Sequence, residues 1–579
     1  MRNTRELIVL LSGLLLLSMA PATARGDTTV TLSAVDSGWY KPEGSHNADN
    51  DNYIVGKVSM TGELRNFFVF DLSTIRGPIR NATLRILNPG AGYNSVDAQE
   101  TYTTFDVATA IAELVATNDT RTDIHADLGS GSTYGSVQVF EPSNNVVVEV
   151  NLNGSGLAAL NSAQGLVAIG GALTSLRGQD DEYIFGGSDG ASLRQLVLTV
   201  GSPLMISEFR FGGPQGVSDE FIELYNNDFA PLTVSTSDGS SGWAVVSADG
   251  VTRFTVPNGT TIPQRGHYLI SNNSMPGYSL GDYGGSLAAA PNGTYTGDIP
   301  AGSGLAVFES ANPANFTVAK RLDAVGFSDV ADGLYREGAG LNPAGGITDF
   351  SQHSFTRLLT AGTPQDTGDN ANDFVSLATD QSQGAKLGVP GPENLTSPVQ
   401  RNATIKASFI DPNCAGNGAS TSACARVRDV TPVTNGTNGT LSIRRRFRNG
   451  TGMPLTRLRF RVVDITAGVA PAGIADLRLL TSSDTPAATL VGGGTVLISG
   501  LTLEEPPGQS FGGGLNATVS AGTINLGSPL APGAAINVQF LLGVEQGGSF
   551  RFFINVEALP GGAASPPEAK LSPLKKAKH

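Results

Sequence analysis

The sequence predicts an all-β protein built as three β-sandwich domains in series. Three observations point there. The 579 residues include 73 Gly and 32 Pro and are only 15% charged, a composition that fits short strands broken by turns better than helices. Few stretches sustain a 3.6-residue period, whereas runs alternating apolar and polar residues recur. At roughly 150 residues per domain the chain has room for three or four cores.

Residues 1–26 read as a secretory signal peptide. Arg2 and Arg5 precede an apolar run from Leu7 to Met19, and Ala22-Thr23-Ala24 supplies a small-residue cleavage site. The run is short for a membrane span. No cysteine follows it and no later stretch reaches spanning length, so neither a lipid anchor there nor a transmembrane segment is expected. The expected location is secreted or at the extracellular surface.

The segment 27–201 opens and closes on strand-like runs, TTVTLS and SLRQLVLTV. Arg65 to Ser73 is followed by Ile79 to Ile86, and a short helix is expected near Ala108–Ala116, where Ile111, Leu114 and Val115 share a face. The wording FFVFDLS with I-x-x-A-T-L-R-I resembles the jelly-roll modules of bacterial surface proteins, the DNRLRE type among them, which are related to carbohydrate-binding modules. That resemblance implies a jelly-roll-like sandwich.

The segment 202–397 begins with the stretch around which the chain is organised, Leu204 to Asn226. Ile206, Glu208 and Arg210 alternate with Met205, Ser207 and Phe209 before Gly212-Gly213-Pro214, and Phe221 to Tyr225 reads as the returning strand of a hairpin. Further strands are expected at Trp243–Val246, Arg253–Val256, His267–Ile270 and Leu305–Phe308. The hairpin's wording, the Ile262-Pro263 and Gly266 to Ile270 turn and strand, Arg321 to Phe327, and the closing Thr363 to Phe374 with Pro390-Gly391-Pro392-Glu393-Asn394 resemble, in order, the lamin tail domain of lamins and secreted bacterial proteins. The resemblance implies an immunoglobulin-like sandwich, in which Glu208, Glu220 and Glu223 would be exposed or turn-supporting strand residues. In bacteria such domains accompany secreted nucleases, phosphatases and other hydrolases, an association only.

The segment 398–560 reads as an immunoglobulin-like or fibronectin-like sandwich. Alternation over Leu455–Val463 puts Leu458, Phe460 and Val462 on one face and Arg457, Arg459 and Arg461 on the other. With Arg444 to Arg448 these make the concentrated basic surface of an acidic chain. One reading is a solvated strand face whose charge deters edge pairing, the other a dock for an anionic polymer. Residues 561–579 read as a disordered basic tail.

Catalytic parts are scarce. The five histidines are scattered, and Gly186-Gly187-Ser188-Asp189-Gly190, which fits the nucleophile-elbow pattern, lies between two strands rather than before a helix. Hard oxygen ligands for calcium occur at Asp49, Asp51, Asp180 and Asp181, and also between Asp366 and Asp373, but Asp and Asn equally cap their own turns. The jelly-roll resemblance implies that a structural calcium in the first domain is the one cofactor to consider. Trp39 and Tyr40 beside a Gly/Asn/Asp-rich loop, and Tyr278, Tyr283 and Tyr295 on the long loop after Asn272, are the candidate ligand-binding aromatics, with packing the bland alternative. Cys414 and Cys424, with no nearby His to complete a metal site, are expected to form a loop-closing disulfide worth about 2–3 kcal/mol. The formal charge of −14 argues against nucleic acid as a partner of the whole chain.

The expected function is an exported, non-catalytic protein for adhesion, surface attachment or extracellular scaffolding, with extracellular proteins or polysaccharide as partners. The alternatives are carbohydrate binding through the N-terminal domain, an accessory role in a secreted hydrolase or nuclease system, and a hydrolase with a site around Asp180 to Asp189.

Overall fold

A computed structural model describes residues 27–560 apart from 60, 164, 179–180, 281–289, 343–350, 361–362, 399, 402–403, 415–422, 469–470, 506–509 and 523–524. The segments 1–26 and 561–579, read from sequence as a signal peptide and a disordered basic tail, lie outside the described residues. Among the described residues the six larger sheets, antiparallel apart from two short edge pairings in the central one, fall into three successive pairs, the all-β architecture expected from the strand periodicity.

In the first pair, Thr28–Ser33, Arg194–Val200, Ile79–Asn88 and Val146–Asn151 form a four-stranded sheet over a larger one centred on Gly62–Asp71 and Leu166–Leu173. Phe68, Phe70, Leu84, Ile86, Leu196 and Leu198 fill the space between them. These residues alternate along their strands, so each sheet gives one face to the core. The helix expected near Ala108–Ala116 is a single turn, Ile111–Leu114, anchored by buried Leu114.

The hairpin expected at Leu204–Asn226 is present as Leu204–Gly213 paired with Gly216–Asn226. It forms the middle of a seven-stranded sheet. His267–Asn272 pairs with its second strand and His353–Arg357 with its first. A four-stranded sheet, which includes Gly242–Ser247, Gly304–Phe308 and Arg321–Gly326, closes the core on the other side.

One detail of the hairpin sets the rest of the site. Ile206 pairs with Leu224 and Glu208 with Glu223, so Ser207 is an extra residue in a β-bulge. The bulge lets Leu204, Ile206, Phe209 and Phe211 all reach the core despite the odd spacing between Ile206 and Phe209. It also sets Glu208 directly opposite Glu223 on the face turned away from that core.

In the third pair, Leu455–Ile465 lies between Phe552–Pro560 and Thr518–Ala521, facing a sheet built on Thr440–Asn449 and Ala535–Gln546. Leu458, Phe460 and Val462 enter the core as expected. The opposite face departs from the solvated reading, because Arg457, Arg459 and Arg461 are buried too. The reason is steric. The chain leaving the central sandwich, Gly388 to Asn394, is laid over this face and bonded to it, Arg461 Nη1 donating to Gly391 O at 3.4 Å.

Candidate functional site

The outer face of the central hairpin and the arginine face of the third sandwich meet around Glu393. Within the central sheet Glu223 and Tyr225 lie two residues apart on one face, and Tyr225 pairs with His267. The strand period of two therefore presents Glu208, Glu223 and His267 together. Opposite them, Arg459 pairs with Glu557 across two neighbouring strands, and Arg461 follows two residues on.

The contacts form a continuous network. His267 Nδ1 lies 3.0 Å from Glu223 Oε1 and its Nε2 3.0 Å from Glu393 Oε2. Glu393 is in turn paired with Arg459 and, at 3.3 Å, with Arg461 Nη2. Arg459 Nε donates to Glu557 Oε2 at 2.8 Å and Arg461 Nε to Glu557 Oε1 at 3.1 Å. Arg461 Nη1 also donates to Asn516 Oδ1 at 2.6 Å. Glu223 accepts from Ser207 Oγ and from the Glu393 amide, and Glu208 accepts from the Gly391 amide at 3.0 Å. Every side chain of this group is at most 5% exposed.

Burial raises the carboxyl pKa of Glu208 well above its usual range, and the Glu223 charge opposite raises it further. Burial alone would lower the imidazole of His267, but the Glu393 and Glu223 carboxylates outweigh it and hold the pKa at about 9. At neutral pH, a protonated Glu208 leaves Glu223, Glu393 and Glu557 balanced by His267, Arg459 and Arg461. A neutral group of this kind satisfies the rule that buried charges occur paired.

Glu223, His267 and Glu393 are also the one group of three potential metal ligands among the described residues. Their arrangement does not suit an ion. The carboxylates approach different ring nitrogens, so the imidazole stands between them, whereas a metal needs its ligands to converge. Arg459 and Arg461 add positive charge at the Glu393 side. The geometry is that of a proton shared within an ion-pair network. A cavity of about 40 Å³ borders it, lined in part by Thr356, Leu359 and Pro364.

A larger cleft, about 770 Å³, lies between the first and central sandwiches, with Leu72, Ile75, Arg76, Asn161, Pro231 and Trp243 on its walls. Beside it Arg80 of the first sandwich clasps Asp366 of the central one at 2.7 Å. Behind that clasp Arg357 is buried against Asp323 and Asp373.

The residues singled out from sequence are dispersed. Tyr40 is fully buried, stacked on His46, and donates to Leu114 O at 2.8 Å. Tyr295 is buried and donates to Glu220 Oε2 at 2.8 Å. These two rings are corrected to packing residues, since each ends a strand, Asp36–Tyr40 and Gly293–Tyr295, and joins a core cluster. Trp39 is half-buried, and Tyr278 is half-buried against Phe221. Tyr283 and Asp180 lie outside the described residues. Asp49 and Asp51 are exposed on a turn held by the Asn50 and Asn52 side chains, and Asp181 accepts from Ser59 N at 3.1 Å. Among the described residues none of these aspartates enters a three-ligand group. Ser188 is buried and accepts from Tyr53 N, and the next element is a strand, so its turn is not a nucleophile elbow. Cys414 and Cys424 form the expected disulfide. Glu208, Glu220 and Glu223, expected to be exposed or turn-supporting strand residues, are strand residues as expected but are all buried.

Sequence reasoning missed His267 and Glu393. Alternation does mark Glu223 and Tyr225 as off the core face, but no local pattern says that a third sandwich covers that face.

Comparison with known proteins adds no identity. No family model matches the chain and no curated protein does. Among solved structures, a β-glucuronidase of Ruminococcus gnavus aligns at 7% identity and a TM-score of 0.15, over 53% of this chain and 45% of its own. A putative membrane anchored protein of Corynebacterium diphtheriae aligns at 10% identity and a TM-score of 0.12, over 92% and 95%. This chain thus spans under half of the glucuronidase, and scores this low carry no functional inference. Among the described residues no helix is long and apolar enough to cross a membrane.

Proposed function

We propose that this chain is an exported, non-catalytic β-sandwich protein that serves adhesion, surface attachment or extracellular scaffolding, with the lamin-tail-like hairpin at its centre. One observation carries the reading. The cluster with the makings of an acid–base site, Glu223, His267 and Glu393, is sealed from solvent and bound into an ion-pair network that joins two sandwiches. A catalytic group must reach its substrate within about 2.6–3.2 Å, and this one is occupied by the protein itself. Rigid coupling of successive sandwiches suits a spacer or attachment device.

The purified chain, coated on beads, should be retained by extracellular material such as polysaccharide gels or matrix proteins. It should also leave glycoside, ester and phosphodiester reporter substrates intact. Turnover of any of these that disappears in His267→Gln would refute the reading. A second reading, carbohydrate binding at the N-terminal sandwich, is favoured by the 770 Å³ cleft at its boundary, a size within the range of ligand sites. A glycan array blank for both the native chain and Trp243→Ala would remove it.

A further inference from the structure

Residues 400–560 carry thirteen Lys and Arg against nine Asp and Glu, in a chain whose formal charge is −14. The surplus is concentrated. Arg457, Arg459, Arg461, Arg478 and Arg551 are each paired with a carboxylate. Among the described residues, none of Lys406, Arg426, Arg445, Arg446 and Arg448 has a carboxylate within ion-pair distance.

These five cations lie along one edge of one sheet, Lys406, Arg446 and Arg448 on its outer face and Arg426 and Arg445 on the face that Ile443 and Phe447 give to the core. The strand Thr440–Asn449 is flanked on a single side by two short edge strands, Ile405–Ser408 and Arg426–Asp429. Arg448 stands directly opposite Lys406, and Arg446 opposite Ser408, so like charges face each other across the ladder, an arrangement that destabilises a sheet. Lys406, Arg426, Arg446 and Arg448 are exposed and Arg445 is half-buried. Arg445 lies 5.1 Å above the ring of Phe409 and Arg426 5.5 Å above that of Phe550. The loop joining the two edge strands, closed by the Cys414–Cys424 disulfide, has no Asp or Glu between its cysteines to neutralise them. Burial and the nearby Arg426 charge both lower the pKa of Arg445, as expected of a cation short of a counter-charge.

We propose that this cationic sheet edge binds an anionic polysaccharide, whose carboxylate or sulfate groups supply the missing counter-charges to Arg446, Arg448 and Lys406. The assignment deepens the attachment reading above and rests on it. A sugar polymer fits better than nucleic acid for two reasons. Single-stranded bases need a row of open aromatic faces, and here the rings beside the cations, Phe409 and Phe550, each already have a guanidinium over one face. Duplex DNA, with one charge per about 1.7 Å, would meet the repulsion of the acidic remainder of the chain, while a polymer charged once per sugar meets less of it.

The test is affinity electrophoresis of the full chain in gels containing polygalacturonate or dextran sulfate. Native protein should be retarded, and the retardation should fade with added salt. The double variant Arg446→Glu/Arg448→Glu should lose at least tenfold in affinity with an unchanged Tm, while Arg551→Glu, on the same sandwich but away from the edge, should bind normally. Absence of retardation at low salt overturns the proposal, as does a double variant that folds and binds like the native chain. Tighter binding to an oligo-dT strand or to phosphatidylglycerol vesicles overturns the choice of polymer. Beads that hold to extracellular material while the gels show nothing sink this inference and leave the attachment reading standing; failure of both sinks both.

Discussion

His267 is a residue whose ionisation depends on the fold. Its pKa is raised to about 9 from an ordinary value near 6.5, so its contribution to stability is full below pH 6.5 and is lost as pH rises through 9. At about 1.4 kcal/mol per pH unit, the loss is on the order of 3 kcal/mol. Glu208 acts with the same sign over a lower window: its carboxyl is also raised, so stability falls as pH climbs from about 4.5. Denaturant titrations should therefore show a chain more stable at pH 6 than at pH 9, and His267→Gln should flatten the upper part of that slope. A slope that His267→Gln leaves intact would place the titrating group elsewhere. The two opposed glutamates should also respond differently. Glu208→Gln replaces an already neutral group by a neutral one and should change stability at pH 7 by less than about 1 kcal/mol. Glu223→Gln removes a counter-charge of His267 and should cost about 3–5 kcal/mol, the usual penalty for breaking a buried pair. Equal effects in urea unfolding would contradict the assignment of the proton to Glu208.

Among the elements, the bulged strand Leu204–Gly213 matters most. A one-residue change of register moves a strand's side chains to the opposite face. Deleting Ser207 should therefore either expel Leu204 and Ile206 from the core or break the Glu208–Glu223 alignment. The expected outcome is loss of protection from hydrogen exchange throughout the seven-stranded sheet, whereas Ser207→Ala, which keeps the residue count, should retain it. This strand also marks how far sequence could be read. Its hairpin partner, its turn at Gly212 to Pro214 and the apolar faces of Leu455–Val463 were legible, because they follow from a period of two and from turn chemistry. The bulge was not, since an extra Ser in an alternating run has no compositional mark. Nor was the burial of Arg459 and Arg461: alternation tells which side of a strand a residue takes, and burial of the polar side depends on a segment nearly seventy residues away in sequence. The candidate aromatics misled for a related reason, as Tyr40 and Tyr295 have hydroxyls that buried partners satisfy as well as water does.

At the scale of the whole molecule, Glu393 ties the central sandwich to the third. It belongs to the connecting segment, yet it holds His267 on one side and Arg459 and Arg461 on the other. Calorimetry should give one shared transition for these two sandwiches, and Arg459→Ala/Arg461→Ala should split it into two. Two resolved transitions in the native chain would show that the network does not couple them. The junction between the first and central sandwiches is different in kind: the Arg80–Asp366 clasp is partly exposed, and a wide cleft lies alongside it, so salt should loosen it more readily.

The Cys414–Cys424 bridge has a mechanical corollary. The two cysteines stand ten positions apart in sequence, yet their Cα atoms are 4.8 Å apart, so a pulling force applied at the chain's ends bypasses the loop between them. Ten residues span at most about 33–36 Å when drawn straight. Once the third sandwich is pulled open, the oxidised chain is shorter by roughly 30 Å than the reduced one. The redox state of a single bond would thus set the reach of an unfolded tether.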